Sequence, residues 1–242
     1  SHSIDDGSYG VYQGYGGLQD TSSNRGNSDY DVRNAFTAAV TYQPPILKNN
    51  FLTRAITGGW STDDIVQIRS APPVDVLDAN FSDIDIANAP SIQLRPDVVP
   101  GVPQYLTGSQ YPGGKALNPA AFTDPPTVYS AAFNAQVPAR QGDLGRNALR
   151  GFGVAQWDFG AHRDFLIKDG IKLEFRGELF NILNHPNFGP FNNNFQTGNV
   201  YFGQSTEMLG QYLGGHAGSG SQSPLYTPGT PRSGELALKL SF

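Results

Sequence analysis

Two neighbouring segments of alternating polarity constrain the fold of this chain more than any other feature. They are QWDFGAHRDF, Gln156 to Phe165, and IKLEFRGELF, Ile171 to Phe180. Successive side chains of an extended strand point to opposite sides, so each segment has a mainly apolar side and a polar side. Between them lies Lys168-Asp169-Gly170, and Asp-Gly is a strong signal for a hairpin turn. The sequence therefore predicts two antiparallel strands joined by this turn.

The polar side of the second segment carries four charged residues in succession. Lys172, Glu174, Arg176 and Glu178 alternate with apolar residues such as Leu173. A barrel strand of about ten residues, with lipid outside and a wet lumen inside, has this pattern. An ordinary antiparallel strand with one face in water has it too. This segment alone leaves both interpretations open.

Three further segments have strand signals, although Trp60 to Ser70 alternates less well and is predicted from its β-branched residues and the preceding Gly58-Gly59 turn signal. Strands are predicted at Val32 to Tyr42, at Trp60 to Ser70 and at SGELALKLSF, Ser233 to Phe242. In the last of these, Leu236, Leu238 and Leu240 share one side. Because consecutive strands usually neighbour one another, the last strand is expected to pair with Ile171 to Phe180 and to keep its leucines on the same apolar face.

The connections between these strands are long and lack periodicity. Gly7 to Tyr30, Asp78 to Gly153 and Asn184 to Arg232 are rich in Gly, Pro, Asn and Ser. Soluble domains rarely contain several structureless connections longer than about 15 residues. Outer-membrane barrels do contain them on the extracellular side, with short turns at the opposite end. The connections therefore favour a barrel.

Composition excludes several classes of function. The net charge is -5, only 15% of residues are charged, and no basic run occurs, whereas binding of nucleic acid requires clustered Lys and Arg. The chain has no cysteine, which excludes disulfides and thiolate metal sites. No stretch approaches the roughly 18 consecutive apolar residues of a membrane helix. We therefore expect no nucleic-acid partner, and any crossing of a membrane would use strands.

A series of sequence blocks resembles a known family. In chain order they are SHSIDD, RGNSDYDVRNAF, GGWSTDDIVQIRSAPP, GDLGRNALRGFG and LEFRGELFNILNHPNFG, followed by a last strand that ends in Phe. Together they resemble the C-terminal part of the large TonB-dependent receptors of the Oar-like type, which are common in acidobacteria. The resemblance extends over nearly the whole chain, and none of its blocks is a catalytic signature.

The resemblance implies an all-β fold with antiparallel strands and long loops. Residues 1–242 would be a single segment of an outer-membrane β-barrel that lacks the upstream plug domain and the earlier strands. Its location would be the outer membrane of a Gram-negative bacterium, with membrane lipid as a partner. Its activity would be uptake of a large nutrient, such as an oligosaccharide or a chelated metal. Phe242 would be read by the barrel-assembly machinery, and energy-coupling proteins would act only through the missing upstream parts.

The alternative is a soluble β-sandwich or small barrel, secreted or periplasmic, that binds or cleaves glycans. Glycoside hydrolysis requires two carboxylates about 5 to 9 Å apart. Glu174 and Glu178 share a face but lie four residues apart, roughly 13 Å along a strand. Asp158 with Glu174 or Glu178 is the remaining catalytic pair, and the sequence favours a role other than that of an enzyme. The candidate ligand-binding residues are Trp157, Glu174, Arg176 and Glu178.

No cofactor or metal is expected. His2, His162, His185 and His216 show no spacing typical of a zinc site. DANFSDID, Asp78 to Asp85, resembles a calcium loop at its first, third and fifth positions but lacks the glycine at its sixth, so solvation of a loop is the favoured interpretation.

Two other groups of polar or aromatic residues have favoured structural interpretations. The cluster Asn181, Asn184, His185, Pro186 and Asn187 is interpreted first as turn-forming. Trp60 and Trp157, with Tyr201 and Phe202, are interpreted as members of interfacial aromatic girdles in preference to sugar-stacking residues.

Overall fold

The structure is a computed structural model that describes residues 2–5, 24–45, 50–81, 94–131, 134–168, 170–215 and 229–242. Over these residues the strands are, in chain order, β1 (Ile4–Asp5), β2 (Gly26–Asn27), β3 (Ala35–Tyr42), β4 (Trp60–Arg69), β5 (Pro73–Val74), β6 (Leu77–Asp78), β7 (Asp97–Val98), β8 (Tyr105–Thr107), β9 (Lys115–Leu117), β10 (Phe122–Thr123), β11 (Thr127–Ser130), β12 (Ala135–Pro138), β13 (Leu149–Arg150), β14 (Val154–Lys168), β15 (Ile171–Phe180), β16 (Asn194–Phe195) and β17 (Ser233–Ser241).

Helical structure is confined to short pieces. The helix α1 (Phe51–Thr57) begins after Asn50, whose side chain accepts a hydrogen bond from Thr53 N while the Thr53 hydroxyl accepts one from Asn50 N. This reciprocal capping satisfies backbone donors that the first turn leaves free. The single helical turns are Ala79–Phe81, Pro112–Gly114, Pro119–Ala121 and Gln211–Gly215. Among the described residues, no helix has the length and apolar character required to cross a membrane.

The strands confirm the predicted all-β class. Among the described strands, every pair is antiparallel except β6 with β16, which is parallel. The chain forms two compact units. The strand unit contains Ala35–Arg69, Val154–Asn187 and Met208–Phe242, and the connection unit contains Ser1–Asn34, Ser70–Gly153 and Phe188–Glu207. The expectation of one barrel segment over residues 1–242 stays a prediction.

The strand unit is built on one five-stranded sheet in the order β17-β15-β14-β4-β3. Each strand therefore neighbours those that precede and follow it in the chain among these five. The β14–β15 hairpin and the β15–β17 pair confirm the predicted pairings. Gly170 has a φ of 83°, a backbone conformation that glycine adopts without steric cost. Asp169 of the predicted turn lies outside the described residues.

Observed strand ends differ from the predicted ends at only a few positions. The predicted Ile171 to Phe180 is β15 without change, and Trp60 to Ser70 is β4 less its last residue. β3 starts at Ala35 and not at Val32, because Asn34 N donates to the Ser70 hydroxyl and Val32 N to a nearby carbonyl. β14 extends the predicted Gln156 to Phe165 in both directions.

The long connections all join the sheet at one end. Since neighbouring strands are antiparallel, the segments before β3, between β4 and β14 and between β15 and β17 start or finish at that end. The β14–β15 turn and the β3–β4 connection, which contains α1, are at the other end. The β14–β15 turn is short, as expected from the sequence, whereas the β3–β4 connection extends over residues 43–59 and is not a short turn.

Each side of the sheet has a consistent character because paired residues point to the same side. The apolar face contains Phe36, Ala38, Val40, Tyr42, Trp60, Thr62, Asp64, Val66, Ile68, Ala155, Trp157, Phe159, Ala161, Arg163, Phe165, Leu173, Phe175, Gly177, Leu179, Leu236, Leu238 and Leu240. Leu173 is opposite Leu240 and Phe175 is opposite Leu238, as the sequence predicts. Leu238 is 70% exposed within the chain.

Within the described residues, the outer strands β3 and β17 pair on one side only. After β17, Phe242 is 98% exposed. Its recognition by assembly machinery stays a prediction.

The connection unit has a hydrophobic core of its own. The buried residues of this core are Val74, Val76, Leu117, Ala121, Phe122, Leu144, Leu149, Phe191 and Phe202. Phe122 and Phe202 meet edge to face at 5.7 Å between ring centroids. The lack of periodicity predicts structureless connections here, and this prediction is wrong for the described parts. Short strand pairs such as β5–β13 and β8–β9 carry too few residues for a periodic signal.

Close backbone packing in this unit gives the first test. A Cβ at position 142 would overlap the backbone oxygens of Arg95 and Pro96, whereas a Cβ at position 145 would have its nearest neighbour, Ala148 Cβ, at 3.9 Å. We expect Gly142→Ala to lower the free energy of unfolding by about 1–3 kcal/mol, the usual cost of overpacking. Gly145→Ala is the matched control, and denaturant titration is the measurement. Equal effects of the two substitutions would contradict this packing.

Candidate functional site

The polar face of the sheet is the candidate functional site. It contains Thr37, Thr41, Ser61, Asp63, Gln67, Arg69, Gln156, Asp158, His162, Asp164, Lys172, Glu174, Arg176, Glu178, Glu235, Lys239 and Ser241, with Ile65, Val154, Leu166 and Phe180 as the large apolar exceptions. The predicted ligand-binding residues Glu174, Arg176 and Glu178 all lie here, on one strand.

Several charges on this face form ion pairs, either along one strand or between adjacent strands. Arg176 Nη2 lies 2.6 Å from Glu178 Oε1, and Lys172 Nζ lies 2.6 Å from Asp164 Oδ2. The Lys172 and Asp164 side chains are both more than 40% exposed, so water screens the pair and its stabilising effect is small. The arrangement leaves a hydrated surface of alternating charge.

A second polar group joins three strands. His162 Nδ1 lies 3.2 Å from Asp63 Oδ2, and the Thr41 hydroxyl donates to Asp63 Oδ1 at 2.7 Å. His162 lies on β14, Asp63 on β4 and Thr41 on β3. Since these side chains are also partly exposed, the group provides hydrogen-bonding positions on the polar face.

Asp158 has a structural role at the end of the β14–β15 pair. Its Oδ1 accepts hydrogen bonds from Asn181 N and Gln156 Nε2, both at 2.8 Å, and its Oδ2 accepts from Gln156 Nε2 at 3.0 Å. Glu178, the nearer of its two predicted catalytic partners along β15, is paired with Arg176. A catalytic role for Asp158 with Glu174 or Glu178 stays a prediction, and these bonds supply the carboxylates with other partners.

Trp157 lies on the opposite face from Glu174, Arg176 and Glu178. The structure therefore does not bring the four predicted ligand-binding residues together. Trp157 Nε1 donates to Asp64 Oδ1 at 2.8 Å on the apolar face. This hydrogen bond satisfies a carboxylate that would otherwise be costly among apolar side chains.

At the short-turn end of the apolar face, aromatic side chains surround an arginine. The Arg163 guanidinium lies 4.5 Å from the Phe165 ring centroid and 5.7 Å from that of Trp60. Trp60 also meets Phe175 edge to face at 6.2 Å. Such cation–π contacts place the charge of an arginine beside apolar side chains at low cost.

The asparagine cluster after β15 has the structural role expected from the sequence. Asn181 is fully buried with a φ of 49°, and its side chain donates to the carbonyls of His185 and Thr230 and accepts from His185 N. Asn187 binds both backbone groups of Ala155. These bonds fix the chain where it leaves the sheet.

Sequence reasoning missed a set of buried arginines in the connection unit. Arg146 has no exposed side-chain surface and is paired with Asp5 and Asp29. Arg150 is paired with Asp31, and this hydrogen bond is the main reason that the pKa of Asp31 falls to about 2. The block GDLGRNALRGFG contains both arginines, but nothing local in it indicates their distant acidic partners.

These arginines join parts of the chain that are far apart in sequence. Asn147 Nδ2 donates to Asp29 Oδ1 at 2.6 Å and to Asn27 O at 2.7 Å, while Asn27 Nδ2 donates to Asn147 O. The segment around residues 146–150 therefore holds residues 5 and 27–31. Among the described residues, no group of three or more His, Cys, Asp or Glu is placed to hold a metal ion.

Comparison with known proteins identifies one family. The model of the family described as "Outer membrane beta barrel domain" matches residues 1–212. No curated protein and no solved structure matches the chain. The matched range includes β3, β4, β14 and β15 and the whole connection unit.

The contact between Trp157 and Asp64 gives the second test. We expect Trp157→Phe to lower the free energy of unfolding, because Asp64 loses the indole donor while it stays among apolar side chains. The loss of a donor to a partly buried carboxylate costs about 1–3 kcal/mol. The packing contacts that are lost with the smaller ring add to this cost. The measurement is denaturant unfolding in detergent.

A double-mutant cycle separates the hydrogen bond from the lost ring contacts. In an Asp64→Leu background the cost of Trp157→Phe should be smaller, because no carboxylate remains to be satisfied. Equal costs in the two backgrounds would show that the hydrogen bond contributes nothing.

Proposed function

We propose that this chain, which belongs to the outer membrane beta barrel domain family, is the barrel part of a TonB-dependent receptor of the outer membrane. The receptor would take up a large nutrient, either an oligosaccharide or a chelated metal, in a Gram-negative bacterium. The proposal extends the family assignment with the sequence resemblance. The observation that carries it is the two-sided sheet, with one continuous apolar face and one charged, hydrated face.

The two tryptophans support an orientation in a bilayer. Trp60 is opposite Arg163, and Trp157 lies six residues from Arg163 on the same strand and the same face. Six residues of strand correspond to roughly 20 Å. Outer-membrane barrels carry aromatic girdles on both sides of an apolar band about 25 Å tall. Trp60 would lie in the girdle near the short turns and Trp157 in the girdle near the long connections.

The polar face would line the interior of the barrel. Its paired charges suit a water-filled lumen, since exposed ion pairs remain accessible to polar ligands and to water. Glu174, Arg176 and Glu178 would contact the nutrient as it passes, through hydrogen bonds to hydroxyl or chelating groups. The long connections would face the cell exterior, because barrels of this class have short periplasmic turns.

Single cysteines on adjacent positions test the two faces. The chain has no cysteine, so each introduced thiol is unique. We expect thiols of Glu174→Cys and Lys239→Cys to react with a water-soluble maleimide in lipid vesicles. Thiols of Phe175→Cys and Leu238→Cys should resist that reagent, and fluorophores attached there should be quenched by nitroxide lipids.

The matched pairs control for local unfolding, because each charged position neighbours its apolar partner in sequence. Free reaction of all four thiols with the water-soluble reagent, together with fractionation in the aqueous phase, would contradict the proposal and favour the soluble glycan-binding alternative.

Transport is tested separately in cells that carry the intact receptor. Uptake of labelled oligosaccharides and of chelated iron should fall when the gene is deleted and when the proton gradient is collapsed. If uptake of both nutrient classes is unchanged by these treatments, the proposed transport function is wrong, whatever the result of the thiol labelling.

A further inference from the structure

Two carboxylates of the connection unit lie side by side without a cation. Asp78 ends β6, and Asp124 follows β10. Asn80 bridges them, since its backbone N donates to Asp78 Oδ1 at 3.0 Å and its Nδ2 donates to Asp124 Oδ1 at 2.7 Å. Neither carboxylate forms an ion pair with a described residue.

One oxygen of this pair has no donor. Asp78 is only 4% exposed, and its Oδ2 is buried without a hydrogen-bond partner among the described residues. A buried carboxylate oxygen without a partner is costly, and a second carboxylate beside it increases the cost. Burial is the main cause that raises the pKa of Asp78 to about 6, and the charge of Asp124 adds to it.

The surroundings of the pair suit a cation that prefers oxygen. The oxygens available are those of two carboxylates and the Asn80 carboxamide, whose Oδ1 also accepts Thr197 N at 2.9 Å. Asp124 is exposed, so an ion could enter from solvent and retain water ligands. Calcium accepts six to eight oxygen ligands in flexible geometry, whereas magnesium demands a nearly ideal octahedron and zinc prefers nitrogen and sulfur.

We propose that Asp78 and Asp124, bridged by Asn80, form a calcium-binding site in the connection unit. The ion neutralises the two carboxylates and gives Asp78 Oδ2 a partner. The site uses the first and third positions of the segment DANFSDID and replaces the rest of a calcium loop with Asp124, which lies far away in sequence. The proposal does not rest on the proposed transport function.

Calorimetric titration of the full chain in detergent with calcium chloride at pH 7.5 tests the site. We expect one saturable site with a dissociation constant on the order of 10⁻⁴–10⁻³ M, the range of extracellular calcium modules. Magnesium should bind at least tenfold more weakly. Asp78→Asn and Asp124→Asn should each weaken calcium binding at least tenfold. Asp97→Asn is the matched control, since Asp97 is paired with Arg140, and it should bind calcium as the unaltered chain does.

Asp78→Asn is expected to fold without calcium, because the burial of Asp78 disfavours the negative charge that this substitution removes. Thermal unfolding checks this. Calcium added at pH 7.5 should raise the melting temperature of the unaltered chain and leave that of Asp78→Asn unchanged. The gain should fade below about pH 6, because protons then compete for Asp78.

Two results would overturn the site. Unchanged calcium affinity in Asp78→Asn and Asp124→Asn would place the ion elsewhere. An absence of calcium binding at pH 7.5, with stability that falls as pH rises through about 4 to 6, would show that the two carboxyl groups share a proton.

Discussion

The sheet depends on a strict alternation of side chains kept in register across five strands. A shift of one residue between any two strands would move every apolar side chain of one strand to the polar side. The observed pairs avoid this, since Phe175 lies between Arg163 and Leu238 and Glu174 lies between Asp164 and Lys239. The sheet can therefore present lipid-compatible surface on one side and charge on the other without a hydrophobic core between layers.

The connection unit is stabilised by different interactions from those of the sheet. Its sequence is rich in glycine and proline and poor in periodic apolar residues, so packing of regular elements cannot hold it together. A small aromatic core supplies part of the stability, and buried arginines supply specific links between distant segments. Removal of one partner from such a buried pair leaves an uncompensated charge, which makes these links strongly selective for one arrangement. Arg146 shows this most clearly, since its side chain is wholly buried between carboxylates of two segments.

The sequence predicted the sheet well because its signals are local. Alternation predicted the strands and the Asp-Gly signal predicted the hairpin, but the register that places Phe165 opposite Leu173 depends on an irregularity of β14 between Leu166 and Lys168. The connection unit escaped prediction because its links join residues more than 100 positions apart, such as Arg146 and Asp5. Trp157 and Glu174 are separated for another reason: their chemistry carries no information on register, and strand pairing places them on opposite faces of the sheet.

The segment between β4 and β14 ends close to where it begins. Gly151 N donates to Pro72 O at 2.9 Å, and β5 pairs with β13, so the two ends of residues 72–151 are bound to each other. Once residues 72–151 have folded, β4 and β14 are joined by the equivalent of a loop of a few residues. The effective loop length is then halved nearly four times. Because each halving lowers the entropic cost of loop closure by about 0.6 kcal/mol, this cost falls by roughly 2 kcal/mol in total. In kinetic terms, a pairing of high contact order becomes a nearly local one, and the folded insertion can speed formation of the sheet.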